Sequence, residues 1–596
     1  MTSNITADLL LVHPPAYFDF RDNSEVYWPF LSSGGSESIT PLYENFPVGF
    51  KTLQRFLRDR GHDVKILNLS TVLLKYPSCN VNKLFRNAEV SVFGIDLHWM
   101  VHVQGSLEIA AILKTLHPQV PILFGGISST YYADELIRYP FIDMVMRGYD
   151  THEPMASLLS ELKDERRFQR VPNLVWKNDD GEINDNGFSY TPRTLTCGMD
   201  LSTLPQQNSG LFPIKDVLTT ENAGCVHNCG WCGGSREAFR RVNKVSFPIV
   251  QKDLDELAFE MKTVGENPGG VTYNYYSLGT YSEPPNRLNI ILDHMSQANL
   301  SSVMYDQFFL TSDAILRKMT SAGKRVVVNL SPQSHDVRVS KLSGRGTYTM
   351  DEMETWIEKA LDYGISEIDV YFFIGMPEQD EKSVFDTVAY CKKLMERFQG
   401  QRVIPFICPM FPFLDPGSSY FENPEEWGYT VFYRTVEEHR RAMMRASLIN
   451  RTNYETSWLS RFDLINVSYK AIRELFMLKG EIGLFAAAII DPLLRRLDDA
   501  RQFINVVHPI DCIANEEDRK KALREIGDEI LRRNNQIFFS GVLNQAFPIN
   551  RKIGGRWYDE MLSVESLIEE SCISDVLFEE GNSVCSVPHP GLRPQS

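Results

Sequence analysis

A chain of 596 residues is too long for one ordinary core and provides for roughly three or four domains. Its composition is globular, 43% hydrophobic and 23% charged, and its net charge of -16, with 77 acidic against 61 basic residues and no Lys/Arg-rich tract, opposes nonspecific nucleic-acid binding. Ten cysteines in so long a chain do not make a disulfide scaffold.

The N-terminus has no basic segment followed by a signal-length apolar run, so a cytoplasmic protein is expected. The first strand candidate is the apolar run Asp8 to Val12, stopped by His13-Pro14-Pro15. A helix is expected from Val48 to Arg60, and strands at Val64–Leu69, Val90–Leu97, Val120–Phe124 and Asp143–Met146, with a helix around Ser106–Leu116. Short apolar strands alternating with helices predict a parallel sheet covered on both faces, with ligands beyond the strands' C-terminal ends. Those ends include Asp96-Leu97-His98-Trp99, Gly125 to Ser129 and Arg147-Gly148. Residues 161–215 read as a connector with a small hairpin, its arms Val175–Lys177 and Gly187–Tyr190. Strand candidates recur at Gly270–Tyr276, Ser302–Phe308, Arg325–Leu330, Glu367–Ile374 and Arg402–Ile407, with helices between them, as in a complete or partial barrel. Residues 420–570 are mostly helix-like, and a Pro- and Gly-rich loose tail begins at Gly581. The apolar run Ile482 to Ile490, ended by Asp491, is too short to span a bilayer and reads as a buried helix, so no membrane association is expected.

Three cysteines cluster as C-x3-C-x2-C: Cys225, Cys229 and Cys232. Three thiolates on a compact loop can hold three corners of a four-iron cluster and leave one iron open. Gly224, Gly230, Gly233 and Gly234 let the loop turn tightly around a bulky inorganic core. Structural zinc is the chief rival, with His227 as a fourth ligand, although no second cysteine pair follows; merely structural cysteines are the third reading.

The stretch Cys225-Val226-His227-Asn228-Cys229-Gly230-Trp231-Cys232 resembles the radical S-adenosylmethionine (SAM) enzymes over roughly residues 215–415. The resemblance implies a [4Fe-4S] cluster on Cys225, Cys229 and Cys232, with the open iron taking the amino and carboxylate groups of SAM. It also implies an external one-electron reductant such as flavodoxin or ferredoxin. Gly233-Gly234-Ser235 resembles the family's glycine-rich contact to the methionine part, and Trp231 its aromatic beside the adenine. Ser277, in the turn Tyr275 to Thr280, and Ser334, in the turn Asn329 to Ser334, fall where ligand loops of a barrel belong. Gly375 and Pro377, in Gly375 to Asp380, resemble the family's adenine-contact turn, and Arg345 is the candidate partner of the methionine carboxylate.

Joined to such a core, the N-terminal α/β unit, which lacks a G-x-G-x-x-G fingerprint and a P-loop, resembles the cobalamin-binding subgroup over roughly residues 8–155. Pro14, Leu97, His98, Trp99, Gly126, Ser128 and Glu153 are the contact candidates. The mutase-type Asp-x-His-x-x-Gly loop is matched only in part by Asp96-Leu97-His98, since Val101 stands where glycine is needed, so no axial histidine is carried over.

The fold expected is α/β: a Rossmann-like cobalamin-binding domain (1–160), a connector (161–215), a partial (β/α)6 radical SAM barrel (216–418), a mostly helical substrate-capping domain (419–580) and a tail (581–596). The function implied by the resemblance is a cobalamin-dependent radical SAM C-methyltransferase. It would move a methyl group from methylcobalamin to an unactivated or heteroaromatic carbon of a natural product, similar to the class B methylases and the aminocoumarin pyrrole C-methyltransferases. The expected protein is a monomer acting on an aromatic or carrier-bound small molecule in antibiotic biosynthesis. Tyr433, Arg434, Arg440, Arg441 and Trp458 are candidates to receive it. Non-methylating cobalamin-dependent radical chemistry and a non-radical iron–sulfur module are the alternatives.

Overall fold

The computed structural model describes residues 5–31, 48–75, 79–200, 216–266, 272–276, 286–410 and 412–539. Ser277 and the tail from Gly581 lie outside these residues.

The N-terminal sheet has seven strands: β1 (Thr6–His13), β2 (Val64–Asn68), β3 (Glu89–Asp96), β4 (Ile122–Gly125), β5 (Met144–Met146), β6 (Leu174–Lys177) and β7 (Ile183–Asp185), in the order β2-β1-β3-β4-β5-β6-β7. The first five run parallel. Alternate residues of β1 enter different cores: Leu9 and Leu11 one, Leu10 and Val12 another. Both faces are therefore covered, which is why the strand is a continuous apolar run.

Two strands come from the stretch expected to be a connector. β6 and β7 are antiparallel and extend the edge of this sheet beyond β5. The second hairpin arm is Ile183–Asp185, not Gly187–Tyr190: Asn178 accepts from Asp180 and Glu182 and closes a tighter turn than the expected spacing allowed.

After β8 (Thr194–Leu195) come β9 (Asp216–Thr220), β10 (Asn222–Gly224), β11 (Ile249–Lys252), β12 (Thr272–Tyr276), β13 (Ser302–Gln307), β14 (Val326–Gln333), β15 (Glu367–Ile374) and β16 (Val403–Pro409). β9 and β12 to β16 form a six-stranded parallel sheet in the order β16-β15-β14-β13-β12-β9, an open (β/α) barrel. β10, β11 and β8 form a small separate sheet. The turn expected at Asn329–Ser334 is instead the end of β14, whose register shifts between Leu330 and Gln333. Gln333, the last residue of the strand, has φ 67°, so the strand kinks at its end.

The C-terminal region adds a two-stranded ribbon, β17 (Tyr429–Val431) with β18 (Tyr454–Thr456), and the long helices Arg461–Glu481 and Ala487–Asp511. The apolar run Ile482–Ile490 is not one buried helix. Its first half is the turn between these two helices, with Gly483 at φ 79°, and Ala487–Ile490 form the first turn of the second helix, with Ala486 to Ala488 exposed. Among the described residues no helix is long and apolar enough to cross a membrane. One core runs through all three regions, joining Leu9 and Leu11 to Val328 and Ile368 of the barrel and to Tyr454 and Leu464.

Candidate functional site

The cysteine loop opens at Gly224, whose φ of +80° and approach to Pro248 (a Cβ there would stand 2.3 Å from the carbonyl oxygen) exclude any other residue. Cys225 N–H donates to Pro248 O, Cys232 N–H to Cys229 O, and Ser235 N–H to Cys232 O, so the loop winds into the helix Arg236–Asn243. Gly230 lies flat on Tyr420, whose ring a Cβ would meet at 2.1 Å, and its N–H donates to Ser343 O. Around the sulfurs, Arg345 Nε donates to Cys229 Sγ at 3.1 Å and Gln333 Nε2 at 3.6 Å, while His227 N–H points at Cys225 Sγ at 3.4 Å.

Burial pushes the Cys225 thiol up to about 11, and burial together with Asp415 and the neighbouring thiols pushes Cys232 higher still. Thiols so placed ionise when a cation compensates them, which is the condition a metal cluster supplies. Their spacing selects the kind of metal. Among the described residues the one trio of His, Cys, Asp or Glu whose ligand atoms all lie within 4.8 Å of each other is His13, Asp96 and His98. Ligands of one tetrahedral zinc sit under about 4 Å apart, so the three thiols are spread for a larger inorganic core. His227 does not join them: its ring stacks on Phe309 at 4.4 Å, and burial, then Arg345 and Arg236, hold its pKa down at about 3. The residues fit a [4Fe-4S] cluster and do not fit zinc.

The second half of the site lies at the C-terminal ends of β1, β3 and β4. Asp96 is buried, and its carboxylate accepts His13 Nδ1–H at 2.9 Å and His98 Nδ1–H at 2.7 Å. Burial alone would raise its pKa; the two imidazoles, His13 foremost, outweigh that and hold it well below the usual carboxylate range. Gly126, at φ +111°, packs under His98, where a Cβ would lie 2.7 Å from the His98 backbone. At Gly125 a Cβ would meet nothing within 4 Å, so the rim is open there.

One residue ties the two halves together. Asp415, in the loop after β16, accepts Trp99 Nε1–H at 3.2 Å and Gly233 N–H at 2.9 Å, and its own N–H donates to Trp231 O. Burial raises its carboxyl, against those two donors.

The other expected residues are placed as follows. Trp231 lies 5.4 Å from Phe373, its Nε1 buried with no hydrogen bond among the described residues. Gly234 borders Cys232, and Ser235 begins the following helix, buried. Arg345 stacks over Phe308 at 3.7 Å, and its buried Nη1 makes no hydrogen bond among the described residues. Ser334 is buried and its hydroxyl accepts Asp336 N–H; Gln333 reaches the cysteines in its place. Gly375, at φ +97°, donates to Gln379 and accepts from Tyr429, with Pro377 buried behind it. Pro14 and Leu97 are buried, Ser128 Oγ donates to His98 O, and Glu153 faces outward to Arg60.

The side chains expected to receive a substrate are committed elsewhere. Arg440 and Arg441 both bind Glu437, Arg434 donates to Phe421 O, Tyr433 to Asn450 O, and Trp458 packs on Gly428. Asp415, Gln333 and His13 went unnoticed in the sequence as contact residues. The Asp415-Pro416-Gly417 turn directly after a barrel strand was the available signal for the first.

The B12 binding domain family matches residues 39–157, and the Radical SAM superfamily matches residues 222–391. No curated protein sequence matches the chain. Among solved structures, the radical S-adenosylmethionine methyltransferase TsrM from Kitasatospora setae, with cobalamin and [4Fe-4S] cluster bound, is 14% identical, with 80% of this chain and 89% of that one covered and a TM-score of 0.54. TsrM with tryptophan substrate and a SAM analogue bound is 15% identical, covering 79% and 89%, at 0.53. The cobalamin-dependent S-adenosylmethionine radical enzyme OxsB, with aqua-cobalamin and S-adenosylmethionine bound, is 11% identical, covering 91% and 73%, at 0.51. At these identities the likeness is one of fold. The chain thus joins a B12-binding domain to a radical SAM domain, under a helical C-terminal region. It has the architecture of the cobalamin-binding radical SAM enzymes, as its cysteine motif and N-terminal strand pattern implied.

Proposed function

We propose that this protein is a cobalamin-dependent radical SAM C-methyltransferase acting on an unactivated or heteroaromatic carbon of a small molecule. The observation that carries the reading is the Asp415 bridge. The loop of the B12-binding domain that bears Trp99 and the loop that bears the three cysteines share one carboxylate. A substrate carbon held between these loops can be reached from both, which hydrogen abstraction and methyl delivery at one carbon require. When bound, a [4Fe-4S] cluster with SAM supplies a hydrogen-abstracting radical, and cobalamin supplies a transferable methyl group.

The chain's own residues hold and screen. Cys225, Cys229 and Cys232 would hold the cluster, with Arg345 and Gln333 donating to Cys229. Trp231, Gly233 to Ser235, Gly375 and Pro377 would line SAM, with Ser277 and Ser334 the remaining candidates. His98, Trp99, Gly126 and Ser128 would face the corrin, with Pro14, Leu97 and Glu153 more remote. Trp231 and Phe373, their rings 5.4 Å apart, would help screen the reacting groups from water. The substrate is a small molecule, aromatic as in the tryptophan complex of TsrM or presented by a carrier. The protein acts as a cytoplasmic monomer fed by an external one-electron donor. The second reading is non-methylating cobalamin-dependent radical chemistry, which the same two cofactor domains would also support.

The test is incubation of anaerobically reconstituted, reduced protein with candidate aromatic metabolites and SAM carrying a deuterated methyl group. Label in the product together with S-adenosylhomocysteine and 5′-deoxyadenosine is the expected result. Deoxyadenosine and a modified but unlabelled product would establish the second reading, and absence of deoxyadenosine would end both.

A further inference from the structure

The cysteine loop is gripped from outside by two segments of the chain. Gly230 N–H donates to Ser343 O, Tyr420 N–H donates to Gly230 O, and Gly344 packs on Asn228, where a Cβ would stand 2.3 Å from the carbonyl oxygen. Tyr420 OH in turn donates to Leu342 O, and its ring lies 5.4 Å from that of Trp427. Leu342 and Trp427 also line an open surface hollow of about 450 Å³, together with Val337, Arg338 and Lys341. The side chain of Tyr420 therefore touches the cysteine loop on one side and two residues of the hollow on the other.

The hollow has apolar walls and a cationic rim. Among the described residues its lining carries two charges, both positive. Arg338, its side chain 62% exposed, pairs with Glu378 and lies near Asp336, while Lys341 is exposed and has no carboxylate partner among the described residues. Glu425 and Glu426 precede Trp427 in sequence and are not part of that lining. The helix Arg236–Asn243 leaves the same loop, with Arg236 N–H on His227 O and Glu237 N–H on Asn228 Oδ1. It carries Arg236, Arg240, Arg241 and, at its cap, Lys244, against Glu237. A chain of net charge -16 repels an acidic protein at long range. Such a partner is held only where cations are concentrated, because surface charges act over about 8 Å at physiological salt.

We propose that this hollow is where the one-electron donor docks, and that the donor is a small acidic flavoprotein that seats the apolar edge of its flavin against Trp427. The proposal rests on the reading of Cys225, Cys229 and Cys232 as cluster ligands. Charge complementarity selects the acidic carrier. Apolar walls between two cations select a redox group exposed at an apolar edge. Trp427 and Tyr420 fill the space between that edge and the cysteine loop. The flavin is oxidised by one electron and the cluster reduced by one; no atom passes between the proteins and no side chain is oxidised.

The test reads binding and electron transfer separately. Oxidised flavodoxin of acidic net charge is titrated by calorimetry onto anaerobically reconstituted full-length protein. Reduced flavodoxin and, in parallel, dithionite are then mixed with the same protein, and loss of the visible iron–sulfur absorbance gives the rate of reduction. Dithionite is small enough to need no docking surface. The wild type is expected to bind flavodoxin with an affinity that falls steeply as salt is raised. Lys341→Glu is expected to raise Kd about tenfold, and Val337→Glu, which puts a carboxylate inside the hollow, to raise it further. Both variants slow reduction by flavodoxin in proportion and leave reduction by dithionite unchanged. Lys324→Glu makes the same change of charge at an exposed position before the other end of β14 and is expected to behave as the wild type. The proposal is overturned if the wild type does not bind flavodoxin, if Lys341→Glu and Val337→Glu bind it unchanged, or if Lys324→Glu weakens it equally. It is also overturned if the hollow variants lose reduction by dithionite as well, since the lesion would then lie in the cluster loop. A wild type that holds no cluster for dithionite to reduce would overturn the function beneath it.

Discussion

At the scale of single residues, the site is made of buried polar atoms whose partners are few and specific. Cys229 receives both Arg345 and Gln333 on its sulfur. If Cys229 holds one corner of the cluster, Cys229→Ala removes that corner, and it takes the sulfur acceptor from the half-buried Arg345 guanidinium. The reconstituted variant is expected to lose the visible iron–sulfur absorbance and most of its iron, and retention of both would remove the cysteine from the ligand set. A different residue tests stability alone. Lys252 and Glu260 form an ion pair at 2.6 Å with side chains 3% and 0% exposed, and the same carboxylate oxygen accepts Met199 N–H. Lys252→Met leaves that carboxylate buried and unpaired, a loss of about 3–5 kcal/mol, to be read as a fall in the urea midpoint. The cysteine triplet was legible because its spacing is local, eight residues from Cys225 to Cys232. Asp415 was not, because it meets Gly233 across 182 positions and Trp99 across 316, and nothing in a turn sequence says which distant loops it will join.

Elements set where those residues stand. Five of the six barrel strands were legible to within a few residues because they are short runs between helices, β15 spanning Glu367–Ile374 as expected, whereas β9 (Asp216–Thr220), just ahead of the cysteine loop, was not placed. What the pattern could not show is sheet membership: β6 and β7 alternate like any hairpin, and only the free edge of β5 decides that they extend the N-terminal sheet. Two elements carry predictions. The loop from Cys225 to Cys232 can lie on Tyr420 only because residue 230 has no side chain. Gly230→Ala drives a methyl group into that ring and is expected to reduce cluster content severalfold with little change in far-ultraviolet circular dichroism. The helix Val436–Met443 presses His439, 0% exposed, toward Tyr132 of the N-terminal domain and Phe413. Its Nδ1–H donates to Thr435 O and its Nε2 faces the Asn453 amide, so the neutral ring is satisfied and a second proton has no acceptor. Burial accordingly lowers its pKa from 6.5 to about 4. Because the folded value lies below the unfolded one, the unfolded chain takes up the proton first. Stability is full above pH 6.5 and is lost as pH falls toward 4, by about 3 kcal/mol at 1.36 kcal/mol per pH unit. Urea melts at several pH values are expected to show a shallower acid slope in His439→Gln; an equal slope would place the titration elsewhere.

At the scale of the molecule, the regions are not beads on a string, since one core passes through the N-terminal sheet, the barrel and the C-terminal helices. The domain order was legible from composition and motif, and the way the domains face each other was not, for their orientation depends on packing between surfaces that no local pattern encodes. Asp415 tests what that orientation does. Asp415→Ala removes the carboxylate acceptor of Trp99 Nε1–H and Gly233 N–H, two part-buried hydrogen bonds each worth about 1 kcal/mol. The shared core is expected to keep the variant unfolding in the same calorimetric transition as the wild type, so the lesion is expected in registry and not in global folding. If the bridge sets the separation between the place where hydrogen leaves the substrate and the place where the methyl group arrives, loosening it lets the first event outrun the second. The ratio of 5′-deoxyadenosine to methylated product is then expected to rise severalfold, with Asp415→Asn, which keeps one acceptor oxygen, between the variant and the wild type. An unchanged ratio in a variant that still binds both cofactors would show that the two loops are held in register by the common core alone, and Asp415 would be left with a purely local role.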